Sequence, residues 1–414
     1  MQLNSFETAL LVGEHGEPRR RALMQQIEVG RFFDAEDFVE ISQVHVMADT
    51  ESLGPAGVEF LESQARFPAA ERLVVVPTVT DPRGVDFCTY RQLRQLDVWA
   101  QRERRTIDAL RAMGILMTDT CINYQTISPP VFGEHLAFGD TGSVIYANSV
   151  AGARSNFEGG PSALAAALTG RTPRYGYHLD RHRRATHRFV VNDRPQTLSD
   201  WGALGGVIGR RTGSYWTVPA IEGIDEAPRS DELKHFGAAL ASYGSVALFH
   251  MVGVTPEAPN VDAVMDAPLT PQSVGRGDLD AFYASFGRLD GRVDVVVFAA
   301  PQLSLLEMQQ LATLLIGRRV AAGTSLLVAT SPEIKTGCDR LGFTATIEQA
   351  GGMVLKGVCF YQMYAREMAQ ANGWETLVTN SAKLTNIIAG YGYRPFLATM
   401  EQCVDAAVSG NFAS

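Results

Sequence analysis

Short runs of β-branched and aliphatic residues alternate along the chain with stretches of helical periodicity, and no other feature constrains the fold as much. A strand buried on both faces needs a continuous apolar run, and a parallel neighbour needs a long crossover that a helix usually provides. The runs Leu73 to Pro77, Ser245 to Phe249, Val293 to Phe298 and Ser325 to Val328 read as such strands. Between them, Leu93, Leu96, Ala100, Ile107 and Leu110 share one helical face, which predicts a helix over Thr89 to Met113 ended by Gly114. Further helices are predicted at Pro161 to Leu168, Glu232 to Tyr243, Ser304 to Arg319 and Phe360 to Asn372. The fold class is therefore α/β, built from parallel-sheet subdomains. A chain of 414 residues has room for two or three of them. The Pro- and Gly-containing stretches 223–230 and 255–277 are the expected linkers.

Composition removes several classes of function. With 36 basic against 45 acidic side chains the net charge is −9, which disfavours a phosphate backbone as partner, so no nucleic acid is expected. The longest apolar runs fall short of the roughly 18 to 20 residues of a membrane span. No secretory signal opens the sequence, and the expected location is the cytoplasm. Five scattered cysteines do not form a disulfide framework. Neither a phosphate-cradling P-loop, nor a G-x-G-x-x-G turn, nor a G-x-S-x-G elbow occurs.

Five segments could carry chemistry. In Ile145 to Asn156, the side chains of Asn148, Ser149, Arg154 and Asn156 offer a guanidinium fork with amide and hydroxyl groups, a set fitted to a carboxylate, although such residues also cap helices. The Arg- and His-rich stretch Arg171 to Arg188 reads as a solvated surface or an intersubunit contact. His250 and Glu257 follow a predicted strand, where α/β proteins place ligands, and are candidate acid/base or substrate-binding groups. Ser304 opens a predicted helix, as an anion site or as its cap. Lys383, in Thr379-Asn-Ser-Ala-Lys383, could hold a carboxylate or act as a base.

Taken in order, the segments Gly13-Glu-His-Gly16, Thr78-Val-Thr-Asp-Pro82, Thr120-Cys121, Tyr146-Ala-Asn-Ser-Val150, Gly152-Ala-Arg154, Gly170-Arg-Thr-Pro173, His250 to Glu257 and Asn380-Ser-Ala-Lys383 resemble the catalytic large subunit of the aconitase X family over nearly the whole chain. The resemblance implies an aconitase-like catalytic module that lacks the family's swivelling small domain and works with a separate small subunit that supplies it. It implies a dehydratase, a lyase eliminating water from a small hydroxy acid of the cis-3-hydroxy-L-proline or phosphomevalonate kind. It also implies an iron-sulfur cluster or iron held by three cysteines, of which Cys121 and Cys359 are two. The third stands in a Gly-Cys-Pro-His segment that here reads Ala299-Ala-Pro-Gln302, so that Ala300 replaces a ligand. The family's Gly-Glu-Ser-Ser-Ala stretch is altered to Gly139-Asp-Thr-Gly-Ser143. On this reading Arg154 and Lys383 bind the substrate carboxylate, and Asn148, Ser149 and Asn156 orient the substrate. His250 and Ser304 complete the binding set, and Glu257, Lys383 and Ser149 are the candidate catalytic groups. The alternatives are a cluster-free isomerase, a specialised dehydratase on another small acid, or a non-catalytic binding subunit.

Overall fold

The computed structural model describes residues 1–413 and builds three parallel sheets in succession. The first is small: Val44–Val46 lies between Thr78–Thr80 and Ala137–Phe138, all parallel. The helices Thr50–Ala65, Asp97–Ala112 and Gly160–Thr169 cover it, and Val44, Val46, Leu110, Met113, Ala137 and Leu168 fill the space between. The second sheet has four parallel strands in the order His250–Met251, Pro219–Glu222, His187–Val191, Pro271–Val274. The third has five, with the nine-residue strand Val295–Leu303 at its centre and buried throughout. Its neighbours are Ser325–Thr330 and Thr376–Thr379, with Met353–Lys356 and Arg394–Leu397 outermost.

Two helices of the second unit, Leu198–Thr212 and Ser230–Gly244, pack backbone against backbone. A methyl group at Gly205 would lie 2.3 Å from the carbonyl oxygen of Phe236, and one at Gly244 would lie 2.8 Å from the Cα of Gly209. Glycine is required at this crossing because nothing larger leaves room for the partner backbone. Between the first and second sheets, the helix Thr141–Tyr146 runs directly into a π-turn at Ala147–Ala151. Among the described residues no helix is long and apolar enough to cross a membrane.

The α/β class and the strands at 293 and 325 are as expected, whereas two predicted strands are not formed. Leu73 to Pro77 is a bent connection whose amides bond to helix ends, Val74 to the Met113 carbonyl and Val75 to the Ala167 carbonyl, so no strand partner is needed. In Ser245 to Phe249 side chains take the place of a ladder. The Phe249 amide donates to Ser149 Oγ at 2.9 Å and the Ala247 carbonyl accepts from Asn148 Nδ2 at 2.9 Å, leaving only His250–Met251 to pair. The helix predicted from Thr89 begins at Asp97, because Arg94 takes a left-handed φ of 58° that breaks the first turns. The stretch 223–230 joins the strand Pro219–Glu222 to the helix at Ser230, and 255–277 is no linker, since it contains the edge strand Pro271–Val274 of the second sheet and runs into the helix at Arg276.

Candidate active site

The carboxyl ends of parallel strands are where an α/β sheet leaves side chains and backbone unpaired, and two of the three sheets meet there. From the first sheet come His45 on the central strand, Asp81 just after Thr78–Thr80, and Asp140 just after Ala137–Phe138. From the third come Gln302 near the end of Val295–Leu303, Cys359 beyond Met353–Lys356, and Lys383 in the helix that follows Thr376–Thr379. Cys121 approaches on the loop after the bridge between Val79 and Leu116. All seven side chains are buried.

Lys383 Nζ donates to Asp140 Oδ1 at 3.1 Å, a pair with both side chains almost fully enclosed. Gly142 leaves the space around it, since a Cβ there would stand 2.9 Å from Asp140 Oδ2. Burial works against ionising Asp140, but the Lys383 ammonium and His45 outweigh it and hold the carboxyl below its ordinary range. Burial likewise opposes the charge on Lys383, and Asp140 with the two thiols restores it, so the amine is held above its ordinary value. Asp81 lies in the opposite state: burial, reinforced by the negative charge of Asp140, pushes its carboxyl well above the usual range. It accepts from Gln362 Nε2 at 2.8 Å and lies 3.5 Å from His45 Nε2, which donates to the Thr120 carbonyl at 2.8 Å.

Cys121 and Cys359 are both buried and act on each other's ionisation. The Cys359 thiol, against the effect of burial and with help from Lys383, lowers the Cys121 thiol, while burial raises that of Cys359 well above the ordinary value. The side chain of Gln302 ties the same two segments together. Its Oε1 accepts from the Cys121 amide at 3.3 Å, and its Nε2 donates to the carbonyls of Asp119 and Val358, each at 3.2 Å. The Gln302 amide itself points at Cys121 Sγ, 3.5 Å away. Several buried polar atoms here have no hydrogen-bond partner: Asp81 Oδ1, His45 Nδ1, Gln362 Oε1 and Asn380 Nδ2. Such a cluster is costly unless a ligand or water completes it.

The donor set does not fit a cluster held by three thiolates. Ala300, at a φ of 55°, ends in a methyl group, and the carboxamide of Gln302 is committed to three backbone groups. Among the described residues no three His, Cys, Asp or Glu side chains converge as a metal site.

Of the residues singled out from the sequence, Cys121, Cys359 and Lys383 come together in this centre. The others, except Ser304, form a second network around the π-turn. Asn148 clamps the Ser155 backbone, accepting from its amide at 2.9 Å and donating to its carbonyl at 2.8 Å. Asn156 accepts from the Tyr177 amide and the Tyr215 hydroxyl. Arg154 pairs with Asp180 at 2.5 Å and donates to the His178 carbonyl. Glu257 pairs with the buried Arg183 at 2.8 Å, and His250 donates to the Arg183 carbonyl at 2.6 Å. Ser304 caps the helix Leu305–Leu315 and donates to Asp231 Oδ2 at 2.7 Å. That cap adjoins a buried ionic group in which Glu307 accepts from both Lys234 and His235, while Lys234 also donates to the Gln302 carbonyl at 3.2 Å. Sequence reasoning left Asp81, Asp140 and His45 unassigned. Asp81 and Asp140 stand inside quoted motifs and could have been found as carboxylates at strand ends; His45 carries no such signal. A cavity of about 620 Å³ lined by Asp200, Tyr283 and Phe396 lies elsewhere and contains none of these residues.

Fold and site together define an aconitase-like α/β protein whose polar centre is shared between two sheets. Family models for the aconitase X first, second and third domains match residues 1–181, 185–284 and 293–409, and the chain belongs to the aconitase X family. The phosphomevalonate dehydratase large subunit of Methanothermobacter thermautotrophicus is 36% identical over 392 residues, 94% of each chain. The cis-3-hydroxy-L-proline dehydratase of Pseudomonas aeruginosa is 32% identical over 416 residues, covering 99% of this chain and 70% of that protein. The crystal structure of Thermococcus kodakaraensis aconitase X in its holo-form superposes with a TM-score of 0.87 at 31% identity, covering 98% of this chain and all of that one.

Proposed function

We propose that this chain is the catalytic large subunit of a hydro-lyase that eliminates water from a small hydroxy acid and works in the cytoplasm with a separate small subunit. One observation carries the reading: a buried lysine, Lys383, charged through Asp140, faces a cluster of unpartnered polar atoms at the carboxyl ends of two sheets. The dehydratase names of the relatives, several of them called large subunits, support it. In such an elimination a proton leaves the carbon next to a carboxylate while a hydroxyl departs from the neighbouring carbon, so negative charge grows on the carboxylate. Lys383 answers that charge in a water-poor setting where a fixed cation counts most. Asp81, whose carboxyl burial pushes well above the usual range, is the group we assign to give a proton to the departing oxygen. Arg154 and Glu257 are each committed to an ion pair in the network around the π-turn, with Asp180 and Arg183 respectively.

The test is turnover of cis-3-hydroxy-L-proline and of phosphomevalonate by the chain combined with a candidate small subunit, following loss of water by mass spectrometry. Dehydration of either acid, reduced about 100-fold or more in folded Lys383→Met, is the expected result. Failure of both acids to react, or a folded Lys383→Met protein with unchanged kcat and KM, would overturn the reading.

A further inference from the structure

We propose, resting on the reading of Lys383 and Asp140 given above, that Gln302 is a positioning residue that holds the polar centre together by hydrogen bonds, and that the centre carries no iron-sulfur cluster. A cluster fixes several chain segments at once because each sends a thiolate to it. Here the segment Ala300-Pro301-Gln302 offers no thiolate, and it makes its connections through backbone and carboxamide instead. Gln302 is fully enclosed. Its Oε1 accepts from the Cys121 amide at 3.3 Å, and its Nε2 donates to the Asp119 and Val358 carbonyls at 3.2 Å, which ties the loop of Cys121 to the segment before Cys359. All three partners are backbone groups, one a donor and two acceptors, and a carboxamide is the side chain that answers all three. A glutamate lacks the two donors, and the two ring nitrogens of a histidine make two such contacts at most.

From this segment two chains of hydrogen bonds run to the two halves of the buried ion pair. In one, the Cys121 carbonyl accepts from Ser143 Oγ at 3.1 Å, and the Ser143 amide donates to Asp140 Oδ2 at 2.9 Å. In the other, the Ala300 carbonyl accepts from Ser381 Oγ at 2.5 Å, and Ser381 caps the helix Ala382–Ile388 that carries Lys383. The Gln302 carbonyl also accepts from Lys234 Nζ at 3.2 Å, which anchors the segment to the second unit. Asp140 and Lys383 are thus set relative to each other from both sides, and the Gln302 carboxamide closes the link between the sheets that bear them. Loss of that link lets the two sheets shift against each other, and a small misplacement of a group that meets developing charge is costly in rate.

The experiment uses the full chain, expressed with added iron and purified without air together with a candidate small subunit. Iron and acid-labile sulfide should be far below stoichiometric, and EDTA should leave the melting curve and the dehydration rate unchanged. Two variants then probe the carboxamide: Gln302→Ala removes all three of its bonds, and Gln302→Glu keeps the size and the acceptor but not the donors. In whichever of them folds, hydrogen–deuterium exchange should quicken at residues 119–123 and 357–360, and kcat should fall about 10-fold or more. A lower Tm with unchanged kcat and unchanged exchange in those segments would make Gln302 a structural residue only and overturn the proposal. Near-stoichiometric iron and sulfide in the parent, lost on Cys121→Ser, would overturn it as well, whether or not either variant folds. If neither acid is dehydrated, the dehydratase reading fails by itself, while metal content and exchange, which need no turnover, still decide this one.

Discussion

At the scale of single residues, the centre depends on opposite charge states held a few ångströms apart in a dry interior. Lys383 lowers the Asp140 carboxyl below its ordinary range, whereas burial and the nearby Asp140 charge push that of Asp81 well above it. Replacing Lys383 by methionine keeps the stem and removes the charge, leaving Asp140 buried and uncompensated, which should cost about 3–5 kcal/mol in urea unfolding near neutral pH. The further replacement of Asp140 by asparagine should return part of that loss, as a double-mutant cycle would report. This pair also marks the limit of what the sequence made legible. Lys383, Cys121 and Cys359 were found through motifs, because each stands in a segment of unusual residue types. Asp140 was passed over: the altered stretch Gly139 to Ser143 drew notice as a departure, not as the source of a counterion. Asn148, Ser149 and Asn156 present the reverse case. Their residue types fit both a ligand clamp and a backbone clamp, and only the three-dimensional path of Ser155, Ala247, Phe249 and Tyr177 supplies the backbone they hold.

At the scale of elements, parallel strands were legible where a continuous apolar run meets a neighbour of the same kind, as at Val295 and Ser325. They were misread where side chains or helix ends took over the backbone bonds, as at Leu73 and Ser245. Local periodicity does not contain those distant partners. The glycine crossing between Leu198–Thr212 and Ser230–Gly244 is similarly invisible in any window of sequence. Its requirement is steric, and Gly205→Ala should lower stability by about 1–3 kcal/mol despite the better helix propensity of alanine. Thermal unfolding followed by circular dichroism checks this. An unchanged or raised Tm would mean that the two helices can separate at no cost.

For the molecule as a whole, acid should weaken the contact between the second and third units, where Glu307 meets Lys234 and His235. Burial opposes ionisation of Glu307, yet Lys234 and His235 lower its carboxyl from 4.5 to about 2. A carboxyl whose folded value lies below its unfolded one adds stability that is complete above pH 4.5 and disappears as pH falls from there toward 2. Glu307→Gln should therefore be less stable than the parent at pH 7, and the gap should narrow steadily in unfolding curves taken from pH 5 down to pH 3. The Lys383–Asp140 pair carries a different consequence at this scale. Each half of it belongs to a separate sheet, so the first unit expressed alone would keep the carboxylate, and the third the ammonium, without the partner that this pair supplies. The boundaries that divide the chain into three family domains thus separate the two halves of a buried ion pair. A gene cut at those boundaries would yield fragments that must find one another before either is complete.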